Sequence, residues 1–482
     1  MSEQSTVPKS DPPAPPGARG KLAAAVVAGV AVVGVIANAV LNPSAPPSAP
    51  TTPTLAEASV VLAAPTEAGP AFARTIDLTQ VCAASSGSTV PSGTAAEADT
   101  YYAGLAAEIG LIQSATLDGV LSYLGYPLTA KRLQDAPPSD LMNATALGFS
   151  PPPPPGAVLS ARFFAPKITD VSTENTPAVT VGWRKLVRLN ALAGSPARKS
   201  RIDAAFVLFN FFAPIAAPDP FAGADSANTQ VMLTTSTPDL SPIYWLDYGP
   251  TSAGARLSKE LDAFFDAGHG PASLAKRPYF VPCACIACHG GLQLDLSVKP
   301  PAPVWNPDLA LLNYLDTDHW FDRVQPGEDF AALKAPVIDP GGFDVLKTLN
   351  SEMRDQNQRV QPGSPQHRAA AHWVDLHQSN PSYVSNLALR ALPSTTDPSV
   401  RWNGADPADM GELKRLNHYC FRCHGSVEFD AFDKSMVLSL RSFFLARLKP
   451  RGALTEDRAT MPPDRDLLDA DRAALLGYST GH

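Results

Sequence analysis

Two pentapeptides of one pattern constrain this chain more than any other feature: Cys285-Ile286-Ala287-Cys288-His289 and Cys420-Phe421-Arg422-Cys423-His424. Thiols three residues apart lie about one helical turn from each other and share a face, and the next residue brings an imidazole beside them. That arrangement suits a porphyrin edge, where each thiol adds across a vinyl group and the histidine becomes the proximal iron ligand. With six cysteines and nine histidines in 482 residues, the pattern arises by chance in roughly one such chain per thousand, so two copies predict two covalently bound haem c groups. Cys285, Cys288, Cys420 and Cys423 are then the attachment residues, and His289 and His424 the proximal ligands. Two zinc sites from the same residues fail on ligand count, since each motif offers three ligands and no second Cys/His pair lies at finger-like spacing.

Those four thiols leave Cys82 and Cys283. Outside the cytoplasm these two can close a disulfide that ties the N-terminal region to the first motif; the other reading makes Cys82 a free thiol in a loosely packed loop. Cys283 also turns the first site into the run Cys-Ala-Cys-Ile-Ala-Cys-His, where it competes with Cys285 for a wider attachment spacing. The standard spacing favours Cys285. A net charge of -8 with a pI near 5.6 excludes a nucleic-acid partner, because phosphate binding needs a concentrated basic surface. A mildly acidic face can still meet a basic redox partner.

Residues 1–21 are polar and proline-rich and end in Arg19 and Lys21, whereas 22–41 are apolar except for Asn38. The apolar stretch is long enough to cross a bilayer as a helix. With no Lys or Arg after it until Arg74, the positive-inside rule leaves the N-terminus cytoplasmic. The expectation is a cytoplasmic tail (1–21), a single-pass inner-membrane anchor (22–41) and a periplasmic remainder. Ala37-Asn38-Ala39 also has the small-x-small form of a signal cleavage site, and cleavage after Ala39 would release the chain to the periplasm. Residues 42–95 read as a Pro/Ala-rich tether.

Beyond the tether, 96–150 form a helical segment in which Leu105, Ile109 and Ile112, then Leu117, Val120, Leu121 and Leu124, recur at three to four residues. A β-rich domain follows at 157–275, its apolar runs Val179–Val181, Ala205–Phe209, Val231–Leu233 and Ile243–Leu246 reading as strands of a mostly antiparallel sheet. Leu257 to Phe265 returns to helical spacing. The first haem segment, 276–395, carries the acidic stretch Asp316-Thr317-Asp318-His319-Trp320-Phe321-Asp322, which suits a calcium ion, a haem margin or a solvated helix end. His367, His372 and His377 recur every five residues, which turns each by about 140° from the last and scatters them over a helix surface. Pro393 to Pro407 links to a module at 408–482. The fold class expected is α+β: a transmembrane helix, a β-rich middle domain and mainly α-helical haem-binding segments.

The C-terminal module resembles a class I cytochrome c domain. A helix through Leu416-Asn417-His418-Tyr419 runs into Cys420, the loop Thr460-Met461-Pro462-Pro463 follows, and Asp469 to Tyr478 closes with an amphipathic helix. The resemblance implies an N-terminal helix crossed by the C-terminal one, with Met461 as the distal ligand opposite His424. The whole chain thereby resembles dihaem c-type cytochromes. Its two motifs, 135 residues apart, also resemble the layout of bacterial dihaem cytochrome c peroxidases and dihaem rubber-oxygenase-type enzymes, although the stretch before Cys285 departs from the peroxidase motif. The sixth ligand of the first iron stays open between Met353, His319 and none, with His269 and His372 behind them. The functional expectation is electron transfer to a redox partner protein or a membrane electron-transfer complex; the alternative is peroxidase or oxygenase chemistry at the first haem.

Overall fold

The computed structural model describes residues 74–83, 93–111, 116–164, 180–214, 219–249, 257–261, 279–315, 339–360, 374, 402–420, 429–448 and 467–480, a few positions inside these stretches excepted. The fold mixes helix and sheet. Its centre is an antiparallel sheet in simple chain order: β1 (Val158–Phe164), β2 (Thr180–Asn190), β3 (Ala204–Pro214), β4 (Asn228–Thr234), β5 (Ile243–Tyr248) and β6 (Leu257–Ser258). Register sets Val187 opposite Val207, Val207 opposite Val231 and Val231 opposite Leu246. All four are buried. A slip of one residue would turn this ladder to the other face, so the apolar pattern fixes the pairing. Strand β1, directly after the proline run, was not anticipated by the sequence pattern.

Alternation along the strands assigns two faces. On one lie Lys185 and, by register, Phe209, Thr229 and Tyr248, with Tyr244 in the same parity. This face receives the helical layer of α1 (Leu78–Val81), α2 (Ala95–Ile109), α3 (Leu117–Tyr123), α4 (Ala130–Asp135) and α5 (Pro138–Met142). Helix α2 starts where the Thr94 side chain accepts the Glu97 N–H at 3.2 Å and stops at Gly110, whose φ of 70° suits glycine. Its Tyr101, Tyr102, Leu105 and Ile109 are buried, each worth about 1.5–3 kcal/mol against exposure. The buried Glu108 carboxylate accepts the backbone N–H groups of Thr75 and Ile76 at 2.7 and 2.6 Å and the hydroxyl of Tyr244. A short α6 (Pro196–Lys199) sits in the β2–β3 connection.

The opposite face carries Arg188 and Trp245. Helix α8 (Gly342–Val360) crosses it. Asp339, just before α8, pairs with Arg162 of the edge strand β1 at 2.7 Å, Glu352 pairs with Arg188 of β2 at 2.6 Å, and Gln356 Nε2 reaches the carbonyls of Thr235 and Pro242 beyond β4. The Cys285–His289 motif also approaches this face, with His289 against Trp245. It is framed by β7 (Glu260–Leu261) paired with β8 (Tyr279–Phe280), by α7 (Cys283–Ile286), and by the hairpin of β9 (Leu292–Asp295) and β10 (Ala302–Trp305). The C-terminal region contributes α9 (Pro407–Tyr419), α10 (Lys434–Ser439), α11 (Arg441–Arg447) and α12 (Asp469–Thr480). One contiguous apolar core runs from Ile76 to Leu475.

At 257–261 the structure differs from the helical reading. Leu257 pairs with Tyr248, and Leu261 with Tyr279. A spacing of four is even, so it satisfies the strand period of two as well as the helical one. The apolar segment 22–41 lies outside the described residues, and among the described residues no helix is long and apolar enough to cross a membrane.

Candidate haem-attachment site

The first motif sits where a two-residue strand, a one-turn helix and a tight reversal follow one another. After β8, α7 carries Cys283 and Cys285, and the backbone then turns through 287–291. His289 leaves helical geometry at φ -116° and ψ 27°, and Gly290 takes φ 97°. Only glycine enters that region without strain. At Gly291 a Cβ would meet Ile286 Cγ2 at 2.2 Å, so the reversal folds flat onto α7. Cys283 is bonded to Cys82, 201 residues earlier, and both are fully buried. Of the two readings of these cysteines the disulfide holds: the bridge occupies Cys283 and leaves Cys285 outside it.

His289 Nδ1 lies 3.0 Å from the Leu311 carbonyl oxygen, so the proton sits on Nδ1 and donates to that oxygen, leaving the Nε2 lone pair available. Burial pushes the imidazole down to about 4, and the Leu311 carbonyl offsets this only in part. The ring is therefore neutral at physiological pH, as a metal ligand must be. Its centroid is 4.3 Å from that of Trp245, inclined at 48°. Segment 310–315 is braced in turn by α8: Asn357 exchanges two hydrogen bonds with the backbone of Leu312 at 2.8 Å each, and Asn350 does the same with Leu315 at 2.6 and 2.7 Å.

Three observations fit a porphyrin to these residues. The imidazole is neutral with Nε2 to offer. The walls are apolar and aromatic: Tyr101 and Tyr102 of α2 lie near Cys285, burial raises both phenols well above their usual range, and the Trp245 N–H of the backbone donates to Tyr101 Oη at 2.8 Å. Finally, the indole Nε1 groups of Trp245 and Trp305 are buried and find no hydrogen-bond acceptor among the described residues. Donors left without partners in an otherwise apolar site fit an acceptor on a bound group. Among the described residues no three His, Cys, Asp or Glu side chains converge, and a haem asks for a single imidazole on its proximal side.

Of the other predicted site residues, Cys420 caps the C-terminus of α9 and is half-buried. Cys423, His424, Met461, His319, His269 and His372, and the side chain of Cys288, lie outside the described residues. Met353 is buried at 3% exposure in α8, on the stripe that also carries Asn350 and Asn357. Asn350 and Asn357 on that stripe hold the backbone of Leu312 and Leu315. Around the second motif, α9 and α12 are both present and pack together. Arg415 pairs with Asp471 at 3.1 Å, and buried Asp409 accepts from the Tyr478 hydroxyl at 2.7 Å, the Asn403 N–H at 2.6 Å and the Lys434 ammonium at 2.9 Å. Burial pulls the Asp409 carboxyl upward, but those three donors outweigh it and hold it below its ordinary value.

Sequence reasoning missed Trp245, Tyr101 and Leu311. Trp245 lies in a continuous apolar run whose strand character was legible, but nothing local says which face meets the motif. No family model, curated protein or solved structure matches the chain.

Proposed function

We propose that this chain is an extracytoplasmic, membrane-tethered dihaem c-type cytochrome that transfers electrons between a redox partner protein or membrane electron-transfer complex and its two irons. The observation that carries the reading is His289: an attachment-motif histidine, neutral, with Nδ1 committed to a backbone carbonyl and Nε2 left for a metal. When bound, each haem supplies a one-electron iron couple tuned by its axial ligands and surroundings. The chain's residues do the rest. Leu311 fixes the tautomer and tilt of His289, α8 holds Leu311 in place through Asn350 and Asn357, and the aromatic walls exclude water from the iron's edge. The Cys82–Cys283 bridge supports the extracytoplasmic placement, because disulfides persist in oxidising compartments. The test is covalent haem content of the protein made in a host that matures c-type cytochromes. The reading expects two haems per chain, with Cys285→Ser/Cys288→Ser and Cys420→Ser/Cys423→Ser each removing about half of the thioether-stable haem; a chain without covalent haem sinks it.

A second reading is a dihaem peroxidase or oxygenase with catalysis at the first haem, which needs an open position on that iron. The electron paramagnetic resonance spectrum of the oxidised protein separates the two. Two low-spin ferric centres keep the relay, whereas a high-spin signal that shifts on adding cyanide or peroxide moves the assignment to the enzyme.

A further inference from the structure

The first motif contains three cysteines within six residues, and the structure pairs the outermost of them with a partner from a distant part of the chain. Cys283 and Cys285 lie on the same single turn of α7, two residues apart and so about 160° apart in azimuth. In that run Cys283 competes with Cys285 for a porphyrin vinyl group unless something removes it. We infer that the Cys82–Cys283 disulfide selects the register of haem attachment, holding the third thiol out of reach so that the thioethers form only at Cys285 and Cys288. This rests on the proposed dihaem reading.

The chemistry balances without further cofactors. In the bridge, two thiols lose two protons and two electrons to a disulfide-donor oxidant of the extracytoplasmic space, which is reduced to its dithiol. In attachment, an S–H bond adds across a vinyl double bond, sulfur to one carbon and hydrogen to the other, with no net redox change. Cys283 in a disulfide has no S–H to add. Both sulfurs of the bridge are fully buried, Cys82 at the end of α1 where Val81 and Leu78 also enter the core, so Cys283 is out of reach while that segment is docked.

The experiment maps the thioether positions in the proteolytic haem peptide by tandem mass spectrometry, in the full-length wild type, in Cys82→Ala and in Cys82→Ala/Cys283→Ala. The expected result is haem on Cys285 and Cys288 alone in the wild type, a mixture including thioethers at Cys283 in Cys82→Ala, and full return to Cys285 and Cys288 in the double variant. Both variants lack the bridge and differ only in the third thiol, so a folding defect common to the two cannot produce this pattern. If Cys82→Ala fails to accumulate while the double variant matures in register, the unpaired thiol is again the cause and the inference stands. If the two accumulate alike with haem in register, or fail alike, the bridge is only a structural brace and the inference falls. A wild type with no haem on this peptide overturns the dihaem reading at this site and the inference with it.

Discussion

Lys185 shows how one side chain couples helix to sheet. It is 1% exposed in the middle of β2, and its ammonium donates to the carbonyls of Leu133 and Gln134 at 2.6 and 2.7 Å and to that of Ala136, at the C-terminal end of α4. A cation there meets the negative end of the helix and three acceptors that would otherwise be buried without donors. Lys185→Met keeps the stem and removes the donors. It should cost about 2–4 kcal/mol, read as a lower midpoint in denaturant. Burial, helped by the nearby Arg162 charge, pushes the amine from 10.5 down to about 7. The folded protein therefore binds fewer protons than the unfolded chain between those values, and stability from this group is lost as pH falls through about 7 and regained toward 10.5. The wild type should thus gain on Lys185→Met as pH rises from 7.5 to 9.5 in paired denaturation curves; a constant gap would refute the assignment.

Helices α9 and α12 depend on one buried carboxylate. Asp409 at the start of α9 collects Tyr478 of α12, Lys434 of α10 and the backbone of Asn403, and Lys434 lies over the Trp402 ring. Lys434→Met strands that charge and should cost about 3 kcal/mol. With the carboxyl held below its ordinary 3.8, its stabilisation is present above that pH and lost as pH falls further. Between about pH 4 and pH 3 the wild type should lose melting temperature more steeply than Asp409→Asn; equal slopes would contradict the network. The two helices were legible at Leu416–Tyr419 and in the amphipathic stretch Asp469–Tyr478, as were the runs that became β2 to β5, because such spacing is a local signal. The hub itself was not, because Asp409, Lys434 and Tyr478 are far apart in sequence and each reads as an ordinary surface residue. The same limit hid Trp245 behind His289. At 257–261 an even spacing fitted two periods at once, and only pairing with β5 and β8 decided between them. The two Cys-x-x-Cys-His runs, in contrast, are contiguous in sequence and need no fold to be seen.

At the scale of the molecule, the first site is assembled from parts that only the fold brings together: α7 and the 287–291 reversal, Trp245 from β5, Tyr101 from α2, and Leu311 braced by α8. The second motif is adjoined by its own pair of packed helices. In the proposed dihaem reading the two irons would have different surroundings and so different potentials. Methionine sulfur opposite histidine stabilises ferrous iron, so if the C-terminal haem has Met461 as its distal ligand, as proposed, it should be the higher couple. In that proposal the first haem, held by an imidazole hydrogen-bonded to Leu311, should be the lower, since a bond from Nδ1–H raises the basicity of the ligand. A spectroscopic redox titration should resolve two one-electron steps. Met461→Ala should abolish the sulfur-to-iron charge-transfer band at the red end of the visible spectrum and lower the upper step while leaving the lower one in place. His289→Ala should remove the lower step and spare the upper. If Met461→Ala moves the lower step instead, or if both variants shift both steps equally, the assignment of one carrier iron and one differently ligated iron is wrong.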